Sequence, residues 1–310
     1  MKLITFSLFG DAELYCRGAV ENARLAKEIY PDWVARFYVA DDVPKKYTEQ
    51  IRSHGAQVVM RERRNTYDGL RWRFAPLMER DVEAWVSRDC DSRLNWREKA
   101  AVDEWLRTDK SLHIMRDAYN HTYPIMAGMF GIQNTLFHAR YGKINLVGPS
   151  LQLDFLKHMG LKIVTDYGVF KVYIRLLLNS FLKNENADNR EGDQTLLQQT
   201  IWNIAIHDHL CHDHWNNNAP VGQPTTQPED TIFWEQAFGV GLIKYVTTRS
   251  LKPSGSYPPG QDSRPFPPHK PMQYGLYVGQ TIDENNNIIL DIATKWEYEL
   301  RGIPFGSKSV

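Results

Sequence analysis

The chain has 310 residues, 42% of them hydrophobic and 24% charged, which suits a globular protein with a sizeable core. Its 37 basic residues are balanced by 37 acidic ones, so the basic excess that phosphate neutralisation requires is missing and no nucleic-acid partner is expected. The cysteines Cys16, Cys90 and Cys211 are odd in number and form no CxxC pair, a pattern of reduced, cytoplasmic usage rather than of a disulfide framework.

In chain order, residues 2–9 form an apolar run of β character that stops at Gly10 and Asp11, too short for a signal peptide. Leu14, Ala19, Ala23, Leu25, Ala26 and Ile29 recur near helical spacing and predict a helix over 13–30, with Pro31 just beyond it. A strand at 36–40, a helix opened by Pro44 and stopped by Gly55, and a strand at 57–60 follow. This alternation predicts a parallel sheet with crossover helices. There is no GxGxxG after the first strand and no GxxxxGK[ST], which excludes those two phosphate-binding loops. A helix is expected over 68–80, a strand over 83–87, a helix over 96–106 and a strand over 112–116. Residues 123–132 read as part strand, part loop.

The second half is less regular. Helices are expected at 151–160, 170–183 and 193–206, separated by a polar loop at 184–192. The apolar stretch 169–182 carries Lys171 and Arg175 and is too short to cross a bilayer, so no transmembrane segment is expected. Residues 216–230 and 252–271 are rich in Pro, Gly, Gln and Ser and read as long loops, with helix or strand character between them at 233–248. A strand at 274–279, a turn at 283–287 and a weak helix from 290 close the chain. No repeat or linker divides it.

The chemistry concentrates at Asp89-Cys90-Asp91, directly after the fourth expected strand. Two carboxylates one residue apart at a turn can converge on one cation, and carboxylate oxygens suit Mg²⁺ or Mn²⁺. Such a cation neutralises a departing diphosphate as a Lewis acid. In open α/β sheets ligands bind beyond the carboxyl ends of the strands, which is where this pair falls. Arg88 and Arg93 flank it and are candidates for phosphate or ribose, or else pair with the nearby Asp residues and Glu98. Trp72, Arg73 and Phe74 either line a donor site or form an apolar helix face. Gly128 and Gly131, in AGMFG, allow close approach of backbone to a ligand or simply make a turn or bulge. Asp193, in GDQ, is a general-base candidate or a helix N-cap. The run His207-Asp208-His209-Leu210-Cys211-His212-Asp213-His214 matches no standard zinc spacing. His207 and His209 follow an apolar segment and are candidates to complete a divalent site, or else the histidines are surface or core residues. The aromatic share of 12% suits sugar stacking and ordinary cores alike.

SRDCDSRLNWREKAAVDEWLRTDKSLHIMRD, followed by AGMFG, GDQTLL, IHDH, PFPPHKP and YVGQTIDENNN, resembles a family of GT-A glycosyltransferases of large DNA viruses and bacteria. The likeness spans residues 2–287 and is strongest over 87–131. It implies a GT-A fold: a Rossmann-like, mostly parallel sheet flanked by helices, with a nucleotide-sugar-binding half (1–132) fused to an acceptor-binding half (133–310) in one continuous domain. It also implies Asp89 and Asp91 as the D-x-D, AGMFG as a donor-sugar and acceptor wall, Asp193 as a catalytic or acceptor-binding carboxylate, and His207 or His209 as a further metal ligand. The dense histidine run and the Pro/Gly-rich loops depart from the pattern.

The expected activity is metal-dependent transfer of a sugar from a nucleotide diphosphate donor, a UDP-sugar, to a glycan hydroxyl, with inversion favoured. Alternatives are a metal-dependent nucleotidyltransferase or phosphohydrolase, and a non-catalytic glycan-binding protein.

Overall fold

The computed structural model describes residues 1–118, 121, 125–141, 192–197, 201–202, 205, 208–213, 262–289 and 292–303. The helices expected at 151–160 and 170–183, the segment at 233–248 and the candidate ligand His207 lie outside the described residues.

The chain opens with β1 (Lys2–Leu8), α1 (Glu13–Ile29), β2 (Val34–Ala40), α2 (Lys45–Ser53) and β3 (Gln57–Arg61), as the alternation predicts. β1 and β2 are covered on both faces, so they read as continuous apolar runs rather than as alternating ones. α1 turns Cys16, Ala19, Ala23 and Ala26 into the core, the stripe expected from its spacing. Phe6 and Phe37, paired in register, stack at 4.5 Å.

The helix expected at 68–80 forms over Asp68–Met78, as a 3-10 helix and not an α-helix. The reason lies in β1. Thr5 Oγ1 donates to the Arg73 carbonyl at 2.8 Å, and Ser7 Oγ accepts from the Arg73 N–H at 3.1 Å. β1 thus takes backbone groups that an α-helix pairs internally, and Pro76 offers no N–H.

Next come β4 (Ala84–Arg88), α3 (Trp96–Leu106), β5 (Leu112–Arg116), β6 (Met129–Gln133) and α4 (Asn134–Tyr141). Asn95 caps α3 by accepting from the Glu98 N–H at 2.9 Å. Farther on are α5 (Gly192–Leu197), β7 (His209–Asp213), β8 (Asp262–Arg264) and α6 (Ile292–Leu300).

Among the described residues, eight strands join one sheet in the order β3-β2-β1-β4-β6-β5-β7-β8. Of these strands β6 alone runs antiparallel to its neighbours, so the fold is mixed α/β with a mostly parallel sheet. β7 and β8 come from the expected second half and extend the sheet built by the first. The core lies on both faces. Val86 joins the cluster under α1 and α3, while Trp85 faces the other way and meets Phe130 edge-on at 5.3 Å.

Of the histidine-rich run, read as metal ligands or as surface or core residues, His209–Asp213 form the buried strand β7, paired with β5 and β8. One further expectation fails. Residues 274–279 form no strand: Gly275 and Gly279 hold φ of +74° and +81°, and the Val278 N–H donates to Asp117 Oδ2 at 2.9 Å instead of to a ladder. Among the described residues, no helix is long and apolar enough to cross a membrane.

Candidate active site

The chain builds β1, β2 and β3 outward in one direction, then returns to place β4 on the free side of β1. The strand order therefore reverses between β1 and β4. In sheets of this kind the crevice beyond the carboxyl ends at such a switch point is where ligands bind. Asp89 follows the last residue of β4 at this point.

Arg73 organises the crevice. Its guanidinium is buried and bridges two carboxylates far apart in sequence. Nη1 donates to Asp89 Oδ1 and, at 3.1 Å, to the Arg88 carbonyl; Nη2 donates to Asp193 Oδ2 at 2.8 Å. Burial works against the charge of Arg73, but the two carboxylates outweigh it and its pKa is raised. Asp89 keeps 46% of its side chain exposed, whereas Asp193 keeps 6%. The 3-10 helix delivers Arg73, and β1 fixes its backbone through Thr5 and Ser7.

Gly128 is required by Asp89. A Cβ on Gly128 would lie 1.7 Å from Asp89 Oδ2, so any side chain there collides with the carboxylate. The backbone before it is tied down from two sides: Ser87 Oγ donates to the Ala127 carbonyl at 2.7 Å, and the Ala127 N–H donates to Gln194 Oε1 at 2.8 Å. The D-x-D loop, the AGMFG turn and the first turn of α5 thus meet at one place. Gln194 belongs to the GDQ motif, yet only its neighbour Asp193 stands out by chemistry.

The electrostatics set the carboxylates apart. Burial, reinforced by the Asp89 charge, raises the Asp91 pKa to about 6, against the pull of Arg73 and Arg93. Burial also raises Asp193, although Arg73 acts to lower it. A carboxylate held above its ordinary range in a crevice is a marker of function, one that structural ion pairs share.

Other candidates fall elsewhere. Arg88 points into the core, where its Nε donates to Glu98 Oε2 at 3.2 Å, and Tyr30 completes the group by donating to Glu98 Oε1 at 3.1 Å. This is the pairing with Glu98 that the sequence leaves open as the alternative to a donor ligand. Arg93 is buried and bonded to loop carbonyls and to the 283–287 turn. Trp72 packs against the α1-side core. Gly131 serves the sheet: its Cβ would meet the Trp85 carbonyl at 2.9 Å and the Trp105 ring at 3.1 Å.

His209 is not brought to the aspartates. Leu112 pairs with both His209 and Ile132, and Ile132 pairs with Trp85, so His209 is level with Trp85. At ordinary strand spacings, that is about 13 Å along the strands and about 14 Å across the sheet from Asp89. His209 instead packs against the Trp202 ring, with centroids 5.1 Å apart. No group of three or more His, Cys, Asp or Glu side chains poised for a metal occurs among the described residues.

Sequence reasoning also missed Asp117, fully buried beyond the end of β5. It accepts from Arg97 at 2.5 and 2.7 Å and lies 3.6 Å from Arg301. It ties α3 and α6 to the sheet. Its one sequence signal is its place immediately after a strand.

No protein-family model matches the chain, and no curated protein matches it in sequence. Among solved structures, a galactosyltransferase, LgtC, in complex with donor and acceptor sugar analogues aligns at 12% identity and a TM-score of 0.38, covering 97% of this chain and 95% of that one. A mannosyltransferase from Pyrobaculum calidifontis in complex with GDP-Man and Mn²⁺ aligns at 13% identity and 0.32, covering 80% and 86%. A 4-diphosphocytidyl-2C-methyl-D-erythritol synthase from Anaerococcus prevotii aligns at 11% and 0.33, covering 56% and 84%. Superpositions this loose establish neither a shared fold family nor a shared activity.

Proposed function

We propose that the chain is a metal-dependent glycosyltransferase of the GT-A type that moves a sugar from a nucleotide diphosphate, a UDP-sugar, to a glycan hydroxyl. The observation that carries this is the Arg73 bridge, which joins Asp89 of the D-x-D to Asp193 at the switch point of the sheet.

The residues present fit a hard divalent cation. Asp89 and Asp91 would hold it, and Mg²⁺ or Mn²⁺ accepts such oxygen sets with diphosphate oxygens and water completing the shell. Gly128 lets the Asp89 carboxylate take its place in the crevice, where any side chain would displace it. Asp89 serves Arg73 through Oδ1, and a carboxylate has further lone pairs to offer. The bound cation would neutralise the diphosphate as it departs. His209 has no part in this proposal, for the geometric reason given above.

The protein's own groups account for the remaining chemistry. The Arg73 Nε is buried and lacks an acceptor among the described residues, so it is available to a sugar or phosphate oxygen. Arg73 also orients the Asp193 carboxylate. Asp193 takes the proton of the acceptor hydroxyl as its oxygen attacks the anomeric carbon. The bond from that carbon to the diphosphate breaks, and the nucleoside diphosphate leaves with the electron pair. A single displacement of this kind inverts the anomeric centre. The upward-shifted Asp193 supports a base role, because a general base works best with a pKa nearer the working pH.

The test is release of nucleoside diphosphate from a panel of nucleotide sugars with Mn²⁺ and glycan acceptors. Turnover that falls on the order of 10²- to 10⁴-fold in Asp193→Asn, with binding kept, is the expected result. Release of pyrophosphate in place of nucleoside diphosphate would turn the assignment to a nucleotidyltransferase.

A further inference from the structure

We propose that Arg93 and the turn at 283–287 form a clamp that holds the Asp89–Asp91 loop in its cation-binding shape, which makes Arg93 a positioning residue. The proposal rests on the metal site described above.

Every main-chain carbonyl of the loop has a donor. Asp89 O accepts from Ser92 Oγ at 3.3 Å, Cys90 O from Arg93 Nη1 at 3.2 Å, and Asp91 O from the Ile282 N–H at 2.8 Å. Ser92 O accepts from Asn22 Nδ2 at 2.8 Å and Arg93 Nη1 at 3.2 Å, and Arg93 O accepts from Asn95 Nδ2 at 3.2 Å. These bonds fix the main chain that carries the two carboxylates.

Arg93 is the centre of this arrangement. Its Nη1 holds the loop, its Nη2 donates to Asp283 O at 2.9 Å, and its Nε donates to Asn286 Oδ1 at 3.0 Å. It therefore joins the loop to a turn 190 residues away in sequence. That turn is rigid on its own account. The Asp283 carboxylate accepts from the N–H groups of Asn285 and Asn287 at 2.8 and 2.7 Å. Asn286 sits at φ 65°, a conformation that Asn tolerates. Tyr274 anchors the same segment to α1 by donating to Glu21 at 2.9 Å. From the opposite side α1 itself closes in: a Cβ on Gly18 would lie 1.9 Å from Cys90 O, and Asn22 Oδ1 accepts from the Leu94 N–H at 2.9 Å. The loop is gripped between an N-terminal helix and a C-terminal turn, and Arg93 spans the gap.

Without Arg93, the carbonyls of Cys90 and Asp283 lose their side-chain donor and the loop gains alternatives to the binding shape. A cation must then select the competent fraction, and its apparent affinity falls with that fraction. Loss of a residue that supports metal ligands typically costs 10- to 100-fold in affinity.

The experiment measures Mn²⁺ binding to the full chain by loss of the free-ion paramagnetic resonance signal, with amide exchange at Ile282 followed in parallel. Arg93→Met is expected to weaken Mn²⁺ binding on the order of 10- to 100-fold. Asn286→Gly removes one acceptor at a position glycine accepts without strain, and should weaken binding severalfold. Both should speed exchange of the Ile282 N–H. Folded Arg93→Met and Asn286→Gly with wild-type Mn²⁺ affinity, while Asp91→Asn has lost it, would overturn the clamp alone. Retained affinity in Asp91→Asn overturns the metal site and the clamp together. If Arg93→Met fails to fold, Asn286→Gly decides.

Discussion

A buried arginine that faces a carboxylate can serve a ligand or a core, and two residues here show the difference. Arg73 bridges carboxylates at the open end of the sheet, one of them half-exposed. Arg88 meets Glu98 with both side chains at 2% exposure. Arg88→Met leaves the Glu98 carboxylate buried without its partner, and breaking such a pair costs about 3–5 kcal/mol. Urea unfolding should show that loss, with nucleotide and Mn²⁺ affinity of the folded fraction unchanged. Lost affinity would return Arg88 to the donor site. Residue types alone drew attention to Asp89, Asp91, Asp193 and Arg73, but that Arg73 joins Asp89 to Asp193, 120 residues away, is visible only in the fold. The Arg88–Glu98 pair was already one of the sequence's two readings, and choosing it required knowing which way a strand's last side chain points.

Asp91 makes a prediction about pH. Its folded-state pKa is raised to about 6, above the ordinary carboxylate value that the unfolded chain retains. Between those two values the folded state binds more protons, so its contribution to stability grows as pH falls through about 6 and is lost above it. Asp91→Asn removes the penalty. Metal-free Asp91→Asn should be more stable than wild type at pH 8, on the order of 1–2 kcal/mol after allowing for partial exposure. The difference should shrink as pH falls from 7 to 4. A pH-independent difference in melting temperature would mean that Asp91 is not strained by charge.

At the scale of elements, β7 taught most. His-Leu-Cys-His-Asp shows no clean alternation of polar and apolar residues and reads as a ligand set or as surface or core residues, and β5 and β8 cover both its edges. Its polar side chains find partners that only the tertiary fold supplies: His212 Nδ1 lies 2.8 Å from His113 Nε2, and Asp213 pairs with Arg116 at 3.0 Å. His209→Gln should therefore leave Mn²⁺ affinity at the wild-type level, measured by titration calorimetry in the presence of UDP. A loss comparable to that of Asp91→Asn would place the histidine at the metal after all. The 3-10 helix carries the same lesson. Its sequence reads as an α-helix, and the Thr5 and Ser7 hydroxyls that change its pairing belong to a strand far earlier in the chain.

At the scale of the whole molecule, the sheet explains why the site is where it is. The β-α-β-α-β start was readable because its first four elements end at Gly10, Pro31, Asp41 and Gly55. The return to β4 beside β1 creates the switch point, and Asp89 emerges there. The antiparallel insertion of β6 between β4 and β5 was not readable, since Met129–Gln133 gives no local sign of direction. Yet it is β6 that leads the AGMFG turn back to the carboxylates, where Gly128 makes room for Asp89.

The central claim is that this crevice takes a nucleoside diphosphate together with a divalent cation. Thermal unfolding with UDP, GDP, CDP and ADP, each with and without Mn²⁺, tests it most directly, because a ligand that binds only the folded state raises the melting temperature by mass action. A rise with UDP that requires Mn²⁺ and disappears in Asp89→Asn is the expected result. No rise with any nucleotide and metal, in protein shown to be folded, would contradict it.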